Sequence, residues 1–332
     1  MPQRDQTHQP SRKGADSGHR VAAPIILFGA LRSGTTLLRL MLNAHPKLNT
    51  PGEVDFLIDH IRPDSSTACG WRYNIADLRA DRMFRAQQIT IRDGLDGLDL
   101  LHDLLRQLAA KKPSGQLCVI MHRDLPVMLE ILPGARVIHL LRDPRDVARS
   151  SVEMGWAGVL YHACNHWMAS EQAWDRSCAM LRAQDWTELR FEALVRAPID
   201  ELTRICGFLG IPYSDKMLGY PAHSTYPPPN PNVAGQWVYR CAPKDVAEME
   251  SKISAMMTAR DYKPTGSPIA PPGFVRRGVL ALRHKTGIWT HGLRQHGAVP
   301  FFGVRLARKL RLVPLQRYFQ RRIDHQIRQM LR

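Results

Sequence analysis

The chain lacks the cysteine patterns of disulfide-bonded and zinc-binding proteins. Its six cysteines are scattered over 332 residues, and no two of them are separated by only two residues. That spacing argues against a disulfide framework and against a zinc site. We therefore expect free thiols, a cytoplasmic location and no bound metal.

Long hydrophobic runs are also lacking. The apolar stretch Val21–Leu31 is about half the length needed to span a bilayer. The first 20 residues are polar and have neither the apolar core nor the cleavage site of a signal peptide. The sequence therefore predicts a disordered N-terminal lead over residues 1–20, followed by a buried strand.

Acidic residues are scarce at the C-terminal end. Residues 270–332 hold 14 Lys and Arg against one acid, Asp324. This segment therefore carries most of the chain's net charge of +16. We expect residues 264–332 to form a linker and a basic extension, with an amphipathic helix around Phe319–Leu331. Such a helix fits packing on the body or on a second subunit of a homodimer. It also fits peripheral contact with the inner face of a membrane, or nucleic acid. No nucleic-acid-binding motif accompanies it, which makes nucleic acid the least favoured partner.

The most informative segment is an apolar run that leads into a glycine turn. Pro24–Ala30 predicts a buried strand, and a helical pattern runs from about Thr36 to Asn43. A strand–loop–helix unit directs backbone N–H groups at one point and makes an anion site. The spacing of Gly29 and Gly34 resembles a Walker A loop, but Thr35 stands where that loop carries Lys. The nearby cation is Arg32, so the loop is expected to hold a phosphate-like group without the usual Lys and Mg²⁺.

Further apolar runs alternate with helical patterns. The predicted strands are Leu117–Met121, Arg136–Leu141 and Trp186–Phe191. The predicted helices cover most of residues 77–110, then Pro126–Leu132, a segment from Pro144, Ile199–Leu209 and Ala242–Ala259. This order predicts an α/β, P-loop-like three-layer fold over residues 21–263, in which helices flank a central parallel sheet. Ligands of such sheets bind at the carboxyl ends of the strands.

A second anion anchor is predicted where the strand Arg136–Leu141 ends. Arg142 follows that strand, and Ser150 lies two helical turns further on, so both could converge on one phosphate. The alternative is that Arg142, Arg145 and Arg149 pair with neighbouring acids on a solvated face.

Two motifs together resemble the sulfotransferase family. They are Leu31-Arg-Ser-Gly-Thr-Thr-Leu-Leu38 and Val137-Ile-His-Leu-Leu-Arg-Asp-Pro-Arg-Asp-Val147, the latter followed by Ser150. Weaker likenesses lie at Asn43–Pro46, Arg190–Val195 and Gly235–Trp237. The resemblance covers Ile25–Tyr262 and is closest to the bacterial, tyrosylprotein-sulfotransferase-like branch, because the loop carries Arg32.

This resemblance implies the donor 3′-phosphoadenosine-5′-phosphosulfate (PAPS), with 3′-phosphoadenosine-5′-phosphate (PAP) as product. By analogy, the 5′-phosphosulfate would be held by Arg32, Ser33, Gly34, Thr35 and Thr36. The 3′-phosphate would be held by Arg142 and Ser150, with Phe191 and Trp237 beside the nucleotide. The acceptor stays open: a small molecule, glycan, lipid or peptide.

Catalysis would need charge stabilisation and a base. Arg32 and the loop N–H groups can stabilise the bridging oxygen. The resemblance places a catalytic carboxylate near Glu53, with Asp55 as its rival and His122 as an alternative base. Arg123 stands where similar enzymes carry a sulfate-contacting Lys, although an ion pair with Asp124 would also explain it.

Two other functions remain open from the sequence. A P-loop kinase or NTPase is disfavoured by the missing Lys after Gly34 and by the lack of an acid at a strand end. A non-catalytic module would use only the basic tail. His162 and His166 have metal-ligand spacing for a helix, but no third ligand is evident.

Overall fold

The computed structural model describes residues 23–266 and 270–310, together with 312, 315, 318 and 319. The predicted lead of residues 1–20 lies outside the described residues, as does nearly all of the helix predicted around Phe319–Leu331.

Seven strands are present in the described chain. They are β1 (Ile25–Phe28), β2 (Leu48–Asn49), β3 (Ile61–Pro63), β4 (Trp71–Tyr73), β5 (Gln116–Met121), β6 (Arg136–Leu141) and β7 (Trp186–Arg190).

Helices connect and cover these strands. The first group is α1 (Thr35–Ala44), α2 (Phe56–Asp59), α3 (Ile75–Ala80), α4 (Arg82–Gln87), α5 (Gly97–Ala109), α6 (Leu125–Ile131), α7 (Pro144–Glu153) and α8 (Leu160–Ala163). The second group is α9 (Asn165–Cys178), α10 (Phe191–Arg196), α11 (Pro198–Leu209), α12 (Trp237–Arg240), α13 (Pro243–Ala259), α14 (Phe274–His296) and α15 (Ala298–Lys309). Short 3₁₀ helices cover Ala183–Asp185, Asp215–His223 and Pro231–Val233.

The central sheet is parallel and has the order β2-β5-β1-β6-β7, which confirms the predicted fold class. Phe28, the last residue of β1, pairs with Met121 of β5 and with His139 of β6. The three strands therefore end close together, and their following loops meet at one edge. A separate two-stranded antiparallel sheet joins β3 to β4.

Helices cover both faces of the sheet. Ile26 and Phe28 belong to one apolar cluster, which is completed largely by α5 and α6. Ile25 and Leu27 point the other way, into a cluster with α1, α10 and α11. All four β1 side chains are fully buried, as expected for a central parallel strand that is an unbroken apolar run.

Of the two C-terminal helices, α14 lies against the domain, and α15 packs on α14 through Phe301 and Gly292. Gly287 of α14 faces Gly158 at backbone distance, since a Cβ on Gly287 would lie 2.6 Å from the Gly158 Cα. The Gly158 N–H donates to His284 Nδ1 at 3.2 Å, and Arg276 pairs with Glu248 of α13. Over the described ranges, no helix is both long and apolar enough to cross a bilayer.

Candidate functional site

The loop between β1 and α1 forms a tight turn at the carboxyl edge of the sheet. Gly34 adopts a left-handed conformation with φ of 99°, and a Cβ there would collide with the ring of Phe191. Only glycine meets both conditions. Because α1 begins at Thr35, its first-turn N–H groups have no acceptor within the helix and face the loop.

Ser33 contributes its hydroxyl, not its N–H group, to this loop. The Ser33 N–H donates to the Ala30 carbonyl at 3.0 Å and is consumed by the turn. Its Oγ is buried and has no hydrogen-bond partner among the described residues. A buried hydroxyl without a partner is costly unless a ligand satisfies it.

The side chain of Arg32 joins the glycine turn to the helix after β6. Its Nε donates to Ser150 Oγ at 3.0 Å, across 118 residues of sequence. Its guanidinium also lies 5.6 Å from the ring centroid of Trp156, an exposed residue that sequence reasoning did not single out. The side chains expected at the two ends of one ligand therefore meet directly.

The side chain of Arg142 contacts the same loop as Arg32. Its guanidinium donates to the carbonyls of Arg32 at 3.1 Å and Val233 at 2.8 Å, and stacks 4.1 Å from the centroid of Phe191. Its Nε has no hydrogen-bond partner in the described chain. Burial lowers the pKa of Arg142, an effect that the charge of Asp146 opposes.

The helix after β6 is buried. Its arginines do pair with neighbouring acids, as the alternative expected, but on a buried face rather than a solvated one. Arg145, Asp146 and Arg149 are at most 8% exposed. Asp146 accepts hydrogen bonds from the N–H groups of Gly235, at 2.6 Å, and Trp237, at 3.0 Å. Burial raises the pKa of Asp146, although the Arg142 charge acts against that rise. Asp146 therefore fixes the backbone at Gly235 and Trp237 and so positions the Trp237 side chain.

Trp237 packs on an arginine of α7. Its ring centroid lies 3.8 Å from the Arg145 guanidinium, which also pairs with Asp143 at 2.7 Å and Glu250 at 2.9 Å. The pairing fully occupies Arg145. Arg149, which pairs with Glu153, retains a buried Nε without a hydrogen-bond partner in the described residues.

His122 links the end of β5 to the glycine turn. Asp55 accepts from the His122 N–H at 2.9 Å, and its second oxygen lies 3.0 Å from His122 Nδ1. The opposite ring atom, Nε2, lies 3.2 Å from Thr35 Oγ1. Burial favours a higher pKa for Asp55, but the hydrogen bonds and charge of His122 outweigh it and hold that pKa below its usual value. Asp55 and His122, the two alternatives to Glu53 as the base, thus form one hydrogen-bonded chain with Thr35.

Glu53 lies at the same edge without such a partner. It forms an isolated parallel bridge with Ile120 of β5, and the following N–H, that of Val54, donates to the Ile120 carbonyl at 3.0 Å. The half-buried Glu53 carboxylate accepts no hydrogen bond from any described residue. Burial lowers the pKa of Arg39, while the negative charge of Glu53 opposes this.

Arg123 has a different partner from the one expected. It forms a two-pronged ion pair with Asp59, with Nε 2.7 Å from Oδ1, and it does not bond to Asp124. The side chain is half exposed, and the Asp59 hydrogen bonds raise its pKa. A sulfate contact by Arg123 stays a prediction, and it would require the side chain to leave Asp59.

The two histidines with metal-ligand spacing do not converge. His162 lies on α8, with its ring 4.6 Å from that of His284. His166 lies on α9, and its Nε2 contacts Ser151 Oγ at 3.1 Å. A different group, Asp59, His60 and Asp81, has ligand atoms within 4.8 Å of one another. Asp59 is already paired with Arg123, and Asp81 caps α4.

Comparisons with known proteins agree on one family. The profile described as "Sulfotransferase family" matches residues 24–215, more than half of the chain. A protein-tyrosine sulfotransferase A from Caenorhabditis elegans is 24% identical over an alignment of 287 residues, which covers 79% of this chain and 73% of that protein.

Two solved structures share the fold. A sulfotransferase domain from the curacin biosynthetic pathway superposes with a TM-score of 0.52 at 18% identity, covering 71% of this chain and 98% of that one. A sulfotransferase domain from the Synechococcus PCC 7002 olefin synthase has a TM-score of 0.52 at 22% identity, covering 73% and 98%.

Proposed function

Because this chain belongs to the sulfotransferase family, we propose that it moves a sulfuryl group from PAPS to a hydroxyl or amine acceptor and releases PAP. The observation that carries the proposal is the direct contact between the two motifs. Arg32 reaches Ser150, and Arg142 reaches the backbone of Arg32. One doubly phosphorylated nucleotide can therefore touch both.

The residues at this edge suit an anionic ligand. At this edge, three buried polar atoms lack hydrogen-bond partners among the described residues: Ser33 Oγ, Arg142 Nε and Arg149 Nε. All three can donate, and no acidic side chain belongs to the glycine turn itself. A phosphate or sulfate group would satisfy such donors.

Each end of the donor would be held by its own group of residues. Ser33, Gly34, Thr35 and Thr36 would bind the 5′-phosphosulfate through hydroxyl and first-turn N–H groups, with Arg32 countering the charge that develops on the bridging oxygen. Arg142 and Ser150 would bind the 3′-phosphate. Both already contact Arg32 of the glycine turn.

The nucleotide would lie against aromatic surfaces. Phe191 stacks on Arg142, a proposed phosphate ligand, and Trp237 stacks on Arg145, three residues further along the chain. Both residues offer flat apolar faces of the kind that pack on a base.

Glu53 is the proposed general base. As the acceptor oxygen bonds to sulfur and the bond from sulfur to the bridging oxygen breaks, the acceptor proton would pass to this carboxylate. Asp55 is less suited because His122 engages both of its oxygens. The transferred group carries less charge than a phosphoryl group, and the proposed chemistry involves no metal.

The donor can be tested by binding. We expect 3′,5′-ADP, the product PAP, to bind tightly and ATP with Mg²⁺ to bind weakly, as measured by calorimetry. Tight binding of ATP with Mg²⁺ alone would favour a kinase or NTPase instead.

The acceptor can be tested with ³⁵S-labelled PAPS. The related protein from C. elegans is named for protein tyrosine, so a tyrosine-containing peptide is the first acceptor to try, with small phenols, glycans and lipids beside it. Nucleotide binding without transfer to any acceptor, including those in a cell extract, would support a non-catalytic module.

The proposed setting is a reducing compartment such as the cytoplasm of a bacterium. All six cysteines are free, and Cys118, Cys164 and Cys206 are buried. A homodimer remains compatible with this setting, and sedimentation velocity would detect it.

A further inference from the structure

The outer face of α14 is apolar, contrary to the usual pattern of a surface helix. Leu280 and Gly287 face the domain, and Leu280 is only 1% exposed. On the opposite side, Val275 is 79% exposed, Leu282 is 64% exposed and Trp289 is 40% exposed. A helix that only covers a core places such residues inward.

α15 repeats this arrangement. Phe301 is buried against Gly292 of α14, whereas Val299, Phe302 and Leu306 are exposed. The rings of Trp289 and Phe302 lie 6.2 Å apart, so the exposed rows of the two helices are continuous. We call this surface the apolar stripe: Val275, Leu282, Trp289, Val299, Phe302 and Leu306.

The charge around the apolar stripe has one sign. Residues 270–310 contain eight Lys and Arg and no acid. Arg276 and Arg283 pair with acids of α13, but Arg277, Lys285 and Lys309 are exposed and form no ion pair with a described residue. A two-fold contact between copies would bring these like charges together, so a second copy of the chain suits this surface poorly.

We propose that the apolar stripe docks on an anionic lipid surface. α14 and α15 would lie in the plane of the interface, with Trp289 and Phe302 at the boundary between headgroups and acyl chains. Arg277, Lys285 and Lys309 would contact lipid phosphates, which supply the negative charge that this part of the chain lacks. The proposal is independent of the donor and of the acceptor.

Vesicle sedimentation of the full chain tests this. We expect binding to phosphatidylcholine vesicles containing about one third phosphatidylglycerol, weak binding to pure phosphatidylcholine, and loss of binding as salt rises to about 0.5 M. Equal binding to both vesicle types, or binding to neither, would overturn the proposal.

Variants locate the contact. Leu282→Glu should weaken vesicle binding by roughly tenfold or more, and Arg277→Gln with Lys285→Gln should do the same. Ile199→Glu is the matched control, since Ile199 is 52% exposed on α11, outside the apolar stripe, and should leave binding unchanged.

An unchanged unfolding temperature would show that the variants fold. If vesicle binding survives both sets of changes, the apolar stripe is not the docking surface. If sedimentation velocity instead finds a dimer that Leu282→Glu dissociates, the occupant is a second copy and the lipid proposal fails.

Discussion

Arg142 serves the fold and the proposed donor site with one side chain. Two of its nitrogens hold backbone carbonyls, from Arg32 in the glycine turn and from Val233 in the segment before Trp237. Its third nitrogen, Nε, has no partner among the described residues. A buried guanidinium with one vacant donor is well suited to a phosphate oxygen, since charge-assisted hydrogen bonds are strongest away from water.

Arg142→Ala should weaken 3′,5′-ADP binding by about 2–4 kcal/mol, because a buried charge-assisted contact to the 3′-phosphate is lost. Calorimetry measures the change. Arg136→Ala is the matched control, as Arg136 begins the same strand at its far end and binds the Phe208 carbonyl. Unchanged 3′,5′-ADP affinity in Arg142→Ala would remove residue 142 from the donor site.

Glu53→Gln should lower turnover by roughly 10²–10⁴-fold and leave 3′,5′-ADP affinity intact, because only the proton acceptor is lost. Transfer from labelled PAPS to the best acceptor of the tested panel measures this. Asp93→Asn, an exposed carboxylate change, should have no effect. Near-normal turnover in Glu53→Gln, with a large loss in Asp55→Asn, would assign the base to the pair of Asp55 and His122.

The site was predictable to the extent that it depends on local pattern. The glycine turn and the position of Arg142 at a strand end follow from residue types and spacing. The bond from Arg32 to Ser150 and the chain from Asp55 through His122 to Thr35 join residues 67 to 118 positions apart. Spacing along the sequence carries no information on such contacts, so Asp55 and His122 were predicted as competitors although they act as partners in the structure.

At the scale of elements, β6 contributes a buried histidine, His139, that contacts glutamates of α9 and β7. His139 is fully buried, with Nε2 3.3 Å from Glu171 of α9 and Nδ1 3.4 Å from Glu188 of β7. Its ring stacks 4.2 Å from that of Trp174. Burial favours the neutral imidazole, but the hydrogen bond to Glu171 and the negative charges of both glutamates outweigh it and raise the pKa of His139. The histidine is therefore a cation in the folded protein at a pH where the unfolded chain has released the proton.

This raised pKa gives stability a definite dependence on pH. The contribution of His139 should be complete below the ordinary histidine pKa of about 6.5, and should be lost as pH rises through the raised value. The free energy of unfolding in urea should therefore fall by up to about 1.4 kcal/mol per pH unit between the ordinary pKa and the raised pKa of His139.

His139→Phe should flatten the pH dependence, whereas His223→Phe, at an exposed position, should retain it. Equal slopes in the wild type and in His139→Phe would show that this histidine is not charged in the folded state.

The strands of the central sheet were the most predictable elements. Arg136–Leu141 matches β6, and the other three predicted strands differ from β1, β5 and β7 by one or two residues at their ends. Buried parallel strands are continuous apolar runs, which are visible in a sequence. β2, β3 and β4 have two or three residues each and no such pattern, so they depend on tertiary contacts.

At the scale of the molecule, a nearly neutral body carries a strongly basic C-terminal part. The two are joined through glycines: Gly287 of α14 lies against Gly158, and Gly155 lies against His291. The absence of side chains at these positions lets the helix backbone approach the body closely. α14 is thereby held against the body.

Gly287→Ala should loosen α14, because the new methyl group would lie 2.6 Å from the Gly158 Cα. Amide hydrogen exchange should become faster in α14 and stay unchanged in β1, β5 and β6. Gly278→Ala on the same helix meets no atom within 4 Å, and should slow exchange, since alanine favours helix by about 1 kcal/mol. Similar exchange in the two variants would contradict this packing.

The hold of Arg142 on the Arg32 carbonyl has a consequence for how the enzyme would choose its donor. The same guanidinium would sense the far end of the nucleotide and brace the turn at which the reactive bond breaks. Binding of the ribose phosphate to Arg142 would act on this bond, and the resulting coupling between the two ends would be equal in both directions. A sulfated adenylate that lacks the 3′-phosphate would then bind more weakly. It would also react more slowly, because the glycine turn would stabilise the leaving oxygen less well.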